Sequence, residues 1–138
     1  MARVLAIDYG TKRVGIAVTD PDQIIASGLT TVHSTELIDF LQKYCAKENV
    51  ETFVVGDPRK LNNEATHLTK IVNEFVVSLA RKFPGKKIVR MDERFTSKMA
   101  MQTLVMSGVK KKDRQKKELL DEVSATIILQ SYLQSVQR

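Results

Sequence analysis

Residues 4–18 read VLAIDYGTKRVGIAV, two apolar runs on either side of a polar turn. Val4 to Asp8 is apolar until it ends in an acid, Tyr9-Gly10-Thr11-Lys12 is turn-forming, and Val14 to Val18 is apolar again. Two runs of strand length around a glycine-bearing turn predict a β-hairpin. Working outward, Asp20-Pro21-Asp22 breaks the chain and Ile24 to Val32 forms a third extended stretch. The opening is therefore read as three consecutive antiparallel strands.

Beyond residue 33 the period changes. Leu37, Leu41, Tyr44 and Cys45 recur at helical spacing after the capping candidates Ser34 and Thr35, and Thr52 to Val55 is strand-like again. Leu68, Ile71, Val72, Phe75, Val76 and Leu79 follow a helical stripe for three turns, stopped by Pro84-Gly85, with Asn62-Asn63 as candidate caps. Lys87 to Met91 reads as a strand, Ser97 to Ser107 as a helix closed by Gly108, and Glu118 to Leu133 as a final amphipathic helix. The order βββαβαβαα predicts an α/β fold with a mixed five-stranded sheet, three antiparallel strands followed by parallel ones, and helices on both faces.

With 138 residues and 43% hydrophobic content, one domain over 1–138 is expected, able to bury roughly two thirds of its unfolded surface without staples. The single cysteine, Cys45, excludes an internal disulfide and reads as an apolar filler in a reducing compartment. The N-terminus MARVLAIDYG resembles neither a signal peptide nor a spanning helix, so a cytoplasmic protein without membrane association is expected. Basic residues outnumber acidic ones by 22 to 16, a formal charge of +6. Lys110, Lys111, Lys112, Arg114, Lys116 and Lys117 fall within eight positions. Such a run is either a solvated loop or a contact for a polyanion such as nucleic acid.

Asp8 closes the first strand, Asp92 and Glu93 follow the last, and Asp121 lies on the final helix. Ligand sites of open α/β sheets lie at such strand ends. If the first and last strands are neighbours, the acids converge. Asp121, Ser124, Ala125, Ile128 and Tyr132 form one helical stripe, and the small pair Ser124 and Ala125 would let the helix approach the sheet closely and carry Asp121 inward. Three carboxylates are the hard-oxygen set that Mg²⁺ takes, and two such ions promote in-line phosphodiester hydrolysis. Taken singly, each acid also has a bland reading: a turn former at Asp8, a partner for Arg94 or Arg13 at Glu93, a solvated helix acid at Asp121. His33 and His67, lacking ligand spacing, are read as surface residues.

Four motifs in order carry a resemblance across nearly the whole chain: residues 8–17 (DYGTKRVGIA), 54–58 (VVGDP), 92–97 (DERFTS) and 121–125 (DEVSA) with 128–133 (ILQSYL). The chain resembles the YqgF, or RuvX, family. That resemblance implies an RNase H-like fold and a nuclease acting on Holliday junctions or on the ends of precursor 16S ribosomal RNA. It also implies Asp8, Glu93 and Asp121 as catalytic ligands of Mg²⁺, with Mn²⁺ as a substitute, and Lys12, Arg13 and Arg94 as motif cations facing the nucleic acid. Where family members often carry Asp-Gly after the VVGDP turn, this chain has Asn62-Asn63. Two alternatives stand beside this reading. One is an RNA-binding or transcription-associated factor that keeps the fold without the chemistry, against which the three intact acids count. The other is an ATP-binding domain of the actin and sugar-kinase type, suggested by residues 7–11, against which the chain's length and its lack of a second Asp-x-Gly loop count.

Overall fold

The computed structural model describes residues 2–57, 67–92 and 117–136. Strands β1 (Arg3–Asp8), β2 (Arg13–Thr19) and β3 (Ala26–His33) lead through a 3₁₀ turn (Ser34–Glu36) into helix α1 (Leu37–Lys47). Strand β4 (Val50–Asp57), helix α2 (His67–Lys82), strand β5 (Lys87–Asp92) and helix α3 (Lys117–Val136) follow. The predicted helix Ser97–Ser107 and the Asn62-Asn63 pair lie outside the described residues.

The sheet runs β3-β2-β1-β4-β5. β1 pairs antiparallel with β2 and β2 with β3, whereas β4 is parallel to both β1 and β5. The mixed five-stranded sheet expected from the sequence is thus present. The adjacency of the first and last strands on which the convergence of the acids was made to depend is not, because β4 lies between them. Periodicity identifies strands, but it carries no information on which strands become neighbours. The parallel pairing nonetheless puts the C-terminal ends of β1, β4 and β5 on one edge, since Ile7 is level with Val55 and Asp57 with Asp92.

Strand alternation divides the side chains between two cores. On one face Leu5, Ile7, Val14, Ile16, Phe53 and Val55 pack with Leu37 and Leu41 of α1 and Val72, Phe75 and Leu79 of α2. On the other Val4, Ala6, Ala17 and Val54 pack with Ala125, Ile128, Leu129, Tyr132 and Leu133 of α3. Cys45 is a free thiol packed against the first core, as its filler reading requires.

Two boundaries differ from expectation. β3 begins at Ala26 because Asp20 organises a turn through residue 25: its Oδ1 accepts from the backbone N–H of Ile24 and Ile25, each at 2.8 Å. Gln23 adopts φ 58° within that turn. Ile24 and Ile25 are consequently exposed instead of paired. Ahead of α1 it is the 3₁₀ turn that is capped, by His33, whose Nδ1 accepts from the Thr35 N–H at 3.2 Å, while α1 itself follows Glu36 without a side-chain cap. Ser34 instead points back, donating through Oγ to the Thr11 carbonyl at 2.7 Å and through its N–H to the Lys12 carbonyl at 3.1 Å.

Candidate active site

Asp8 follows Val4 and Ala6 in the alternation of β1, so it belongs to the α3 face, at the C-terminal end of the strand. Its partner across the antiparallel pair is Gly15. Paired Cα atoms lie about 4.5–5.5 Å apart. A Cβ added to Gly15 would sit 2.1 Å from the backbone oxygen of Asp121 and 3.0 Å from the Asp121 Cβ. The absence of a side chain at Gly15 therefore lets α3 rest on the sheet at the very turn that carries Asp121, beside Asp8. Ser124 and Ala125, both buried, supply the helix side of that close approach, as their small size suggested. The sheet glycine that completes it was not recognised, although it lay in a quoted motif.

The turn between β1 and β2 closes tightly. A Cβ on Gly10 would meet the Arg13 carbonyl at 2.5 Å, so only glycine fits, and Ser34 ties down the carbonyls of Thr11 and Lys12 as described above. This frame aims Arg13 across the site. Its Nε donates to Asp121 Oδ2 at 3.0 Å, joining residues 108 positions apart. The pair is partly exposed, 37% for the Arg13 side chain and 23% for Asp121. The neighbouring Glu122 carboxyl is pushed above its usual value by burial and, secondarily, by the charge of Asp121.

A cleft of about 630 Å³ opens here, lined among the described residues by Gly10, Thr11, Lys12, Arg13, His67, Leu68 and Asp121. Lys12, Arg13 and Asp121, all named from sequence, thus meet at one place, with Asp8 on the adjoining strand end. His67, read as a plain surface residue, is exposed but lines the same cleft from the first turn of α2. No spacing signal marks it, since it comes from an element remote in sequence.

Asp57 is a strand-end acid the sequence reading passed over, and it has a different office. It follows Val55 onto the face of α1 and α2, where its Oδ1 accepts from Arg90 Nη2 at 3.2 Å while Arg90 Nη1 donates to Asn73 Oδ1 at 2.9 Å. Asp57 therefore lies on the opposite face from Asp121. Glu93, Arg94, Lys110, Lys111, Lys112, Arg114 and Lys116 lie outside the described residues. Among the described residues no three His, Cys, Asp or Glu side chains gather as a metal site. Asp8, opposite Gly15, and Asp121, seated over Gly15 and lining the cleft, nevertheless bring two carboxylates to this end of the α3 face, hard oxygen donors of the kind that suits Mg²⁺ or Mn²⁺.

The sequence profile of the RuvX family, described as Holliday junction resolvase, matches residues 2–135. The chain belongs to the RuvX family. It is 56% identical over 135 residues to a protein of Flavobacterium johnsoniae, with 98% of each chain aligned. It is 54% identical over 138 residues to one of Amoebophilus asiaticus, covering 100% of this chain and 98% of the other, and 54% identical over 135 residues to one of Bacteroides thetaiotaomicron, covering 98% of each. All three relatives bear the provisional name pre-16S rRNA nuclease. The structure is similar to that of T. thermophilus RuvC in complex with Holliday junction substrate, with a TM-score of 0.58 at 12% identity, covering 99% of this chain and 97% of that one. The RNase H-like fold implied by the RuvX motifs is the fold observed. By family, the chain is a nuclease. Among the described residues, no helix is long and apolar enough to cross a membrane.

Proposed function

We propose that this RuvX chain is a Mg²⁺-dependent endonuclease of structured nucleic acid, acting on the ends of precursor 16S ribosomal RNA, on four-way DNA junctions, or on both. The observation that carries the reading is the seating of Asp121 over Gly15, beside Asp8 and on the rim of a cleft containing Lys12 and Arg13. Asp8 and Asp121 hold the metal, joined by Glu93, which follows directly on β5 in the sequence. A bound divalent pair would supply an activated water and stabilise the leaving oxygen. The chain's own cations bind and orient the phosphodiester: Lys12 and Arg13 at the cleft, Arg94 beside Glu93, and the run Lys110, Lys111, Lys112, Arg114 and Lys116 along the strand. Contacts of this second kind are sequence-independent and salt-sensitive, about 0.9 counterion per phosphate on duplex DNA.

Labelled four-way junction DNA and precursor 16S RNA, each incubated with Mg²⁺, Mn²⁺ or chelator, test the reading directly. Cleavage of at least one substrate is expected with metal and none with chelator. Asp8→Asn, Glu93→Gln and Asp121→Asn should each abolish cleavage while far-UV circular dichroism stays that of the parent. Cleavage that survives two of the three substitutions would overturn the assignment. Binding of both substrates without any cleavage would favour the non-catalytic alternative.

A further inference from the structure

Arg13 has a place in this site that its positive charge alone does not explain. It starts β2, paired with His33 of β3, and its carbonyl is packed against Gly10. The turn before it is pinned through Thr11 and Lys12 by Ser34. The backbone that carries the guanidinium is thus fixed on both sides. The side chain reaches Asp121 through Nε alone, and its two Nη groups make no hydrogen bond or ion pair with any described residue. A guanidinium has two usable edges, and the doubly donating Nη edge is the one that matches a phosphate.

We propose that Arg13 is an electrostatic gate that makes metal binding at Asp121 wait for the substrate phosphate. This inference rests on the metal-site reading given under Proposed function. Paired with Asp121, Arg13 offsets its charge and sets a fixed positive charge beside the carboxylate that a divalent cation must approach. The pair is partly withdrawn from water, so this repulsion is screened less than between fully exposed charges. A phosphate arriving on the Nη edge cancels the charge without requiring Arg13 to leave Asp121. Metal and nucleic acid then strengthen each other's binding, and the coupling is reciprocal. Lys12 shares the cleft, where it attracts the strand, whereas Arg13 is bonded to Asp121 itself.

Mn²⁺ affinity, read from the electron paramagnetic resonance signal of the free ion, is measured alone and with a four-way junction DNA carrying phosphorothioate linkages that a gel confirms to be intact. The parent should bind Mn²⁺ weakly alone and about tenfold more tightly with the junction. Arg13→Ala should bind Mn²⁺ several-fold more tightly than the parent without DNA and lose most of the tightening with it. Arg13→Lys, which restores the charge, should return the DNA-free affinity to near the parent's. A purely structural Arg13 would give the opposite sign, a weaker site in Arg13→Ala. Arg13→Gln is measured in parallel, with circular dichroism of each variant, so that a misfolded alanine variant does not decide the outcome. Unchanged or weakened Mn²⁺ binding in folded Arg13→Ala or Arg13→Gln overturns the gate and leaves the metal site standing. A parent that binds no Mn²⁺ in either condition overturns the metal-site reading itself.

Discussion

The two faces of the sheet are packed by different rules. Against α1 and α2 the sheet presents Leu5, Ile7, Ile16, Phe53 and Val55, large side chains that hold the helices off by their own bulk. Against α3, beside Val4 and Val54, it also presents Gly15, Ala6 and Ala17, and the helix answers with Ser124 and Ala125. Farther along α3 the contacts grow again to Ile128, Leu129, Tyr132 and Leu133. Among the described glycines of this face, the tight approach to the helix is the one at Asp121 over Gly15. A large apolar layer maximises the area removed from water, about 25 cal/mol per Å², and needs no fine placement of the backbone. A small-residue layer forgoes much of that area and gains proximity, bringing a polar side chain on the helix down to the level of one on the strand. One face is built for stability and the other for assembling Asp8 with Asp121.

The largest effect should come from the first face. Phe53 is fully buried and meets Phe83 edge-on, with ring centroids 5.2 Å apart. Phe53→Ala should cost about 3–5 kcal/mol in denaturant titration, the range for emptying a buried aromatic position. Because Phe53 faces away from α3, the Mn²⁺ affinity of the folded fraction should match the parent's. A large loss of metal affinity would show that the faces are not separable.

Gly15→Ala attacks the second face with one methyl group. The new Cβ would fall 2.1 Å from a backbone oxygen, and backbone cannot rotate away as a side-chain tip can. Helix α3 must shift, at a cost of about 1–3 kcal/mol for an overpacked site. Here the loss of function should exceed the loss of stability, with Mn²⁺ affinity and cleavage falling in protein that is still folded. Parent-like metal binding would mean that the seat of Asp121 on Gly15 is not what forms the site.

This division between faces was only partly legible in the sequence. The apolar runs of β1 and β2, the stripe of α2 and the small pair on α3 all announced themselves through run length, period and residue size. The order of the strands did not, because Asp8 and the end of β5 share an edge through β4, and nothing in either strand's own sequence says so. The start of β3 was misplaced because Ile24 and Ile25 are apolar, while the Asp20 turn that excludes them from the strand is held by local hydrogen bonds. The pairing of Arg13 with Asp121 spans 108 positions and becomes visible only once Gly15 has brought the helix down. The catalytic candidates were legible as motifs. Their geometry depended on a residue whose contribution is to have no side chain.

The smallest expected effect is the sharpest control on the comparison, because it changes the same residue type on the same face. Gly28, on β3 and paired with Ala17, also faces α3. A Cβ there would meet the Glu122 Cβ and the Thr126 Oγ1, each at 3.4 Å, which is ordinary contact with side-chain atoms. Thr126 Oγ1 donates to the Glu122 carbonyl at 2.8 Å, a bond the added methyl need not break. Alanine also loses less backbone entropy than glycine on entering a strand, by roughly 0.5–1 kcal/mol, which offsets any residual crowding. Gly28→Ala should therefore unfold within about 0.5 kcal/mol of the parent and keep its Mn²⁺ affinity. If it instead destabilises as much as Gly15→Ala, close approach is a uniform property of the whole α3 face and was not concentrated at Asp121. If the two glycines differ as expected, the close approach belongs to the β2 side of the helix, the side that puts Asp121 beside Asp8 and within reach of Arg13.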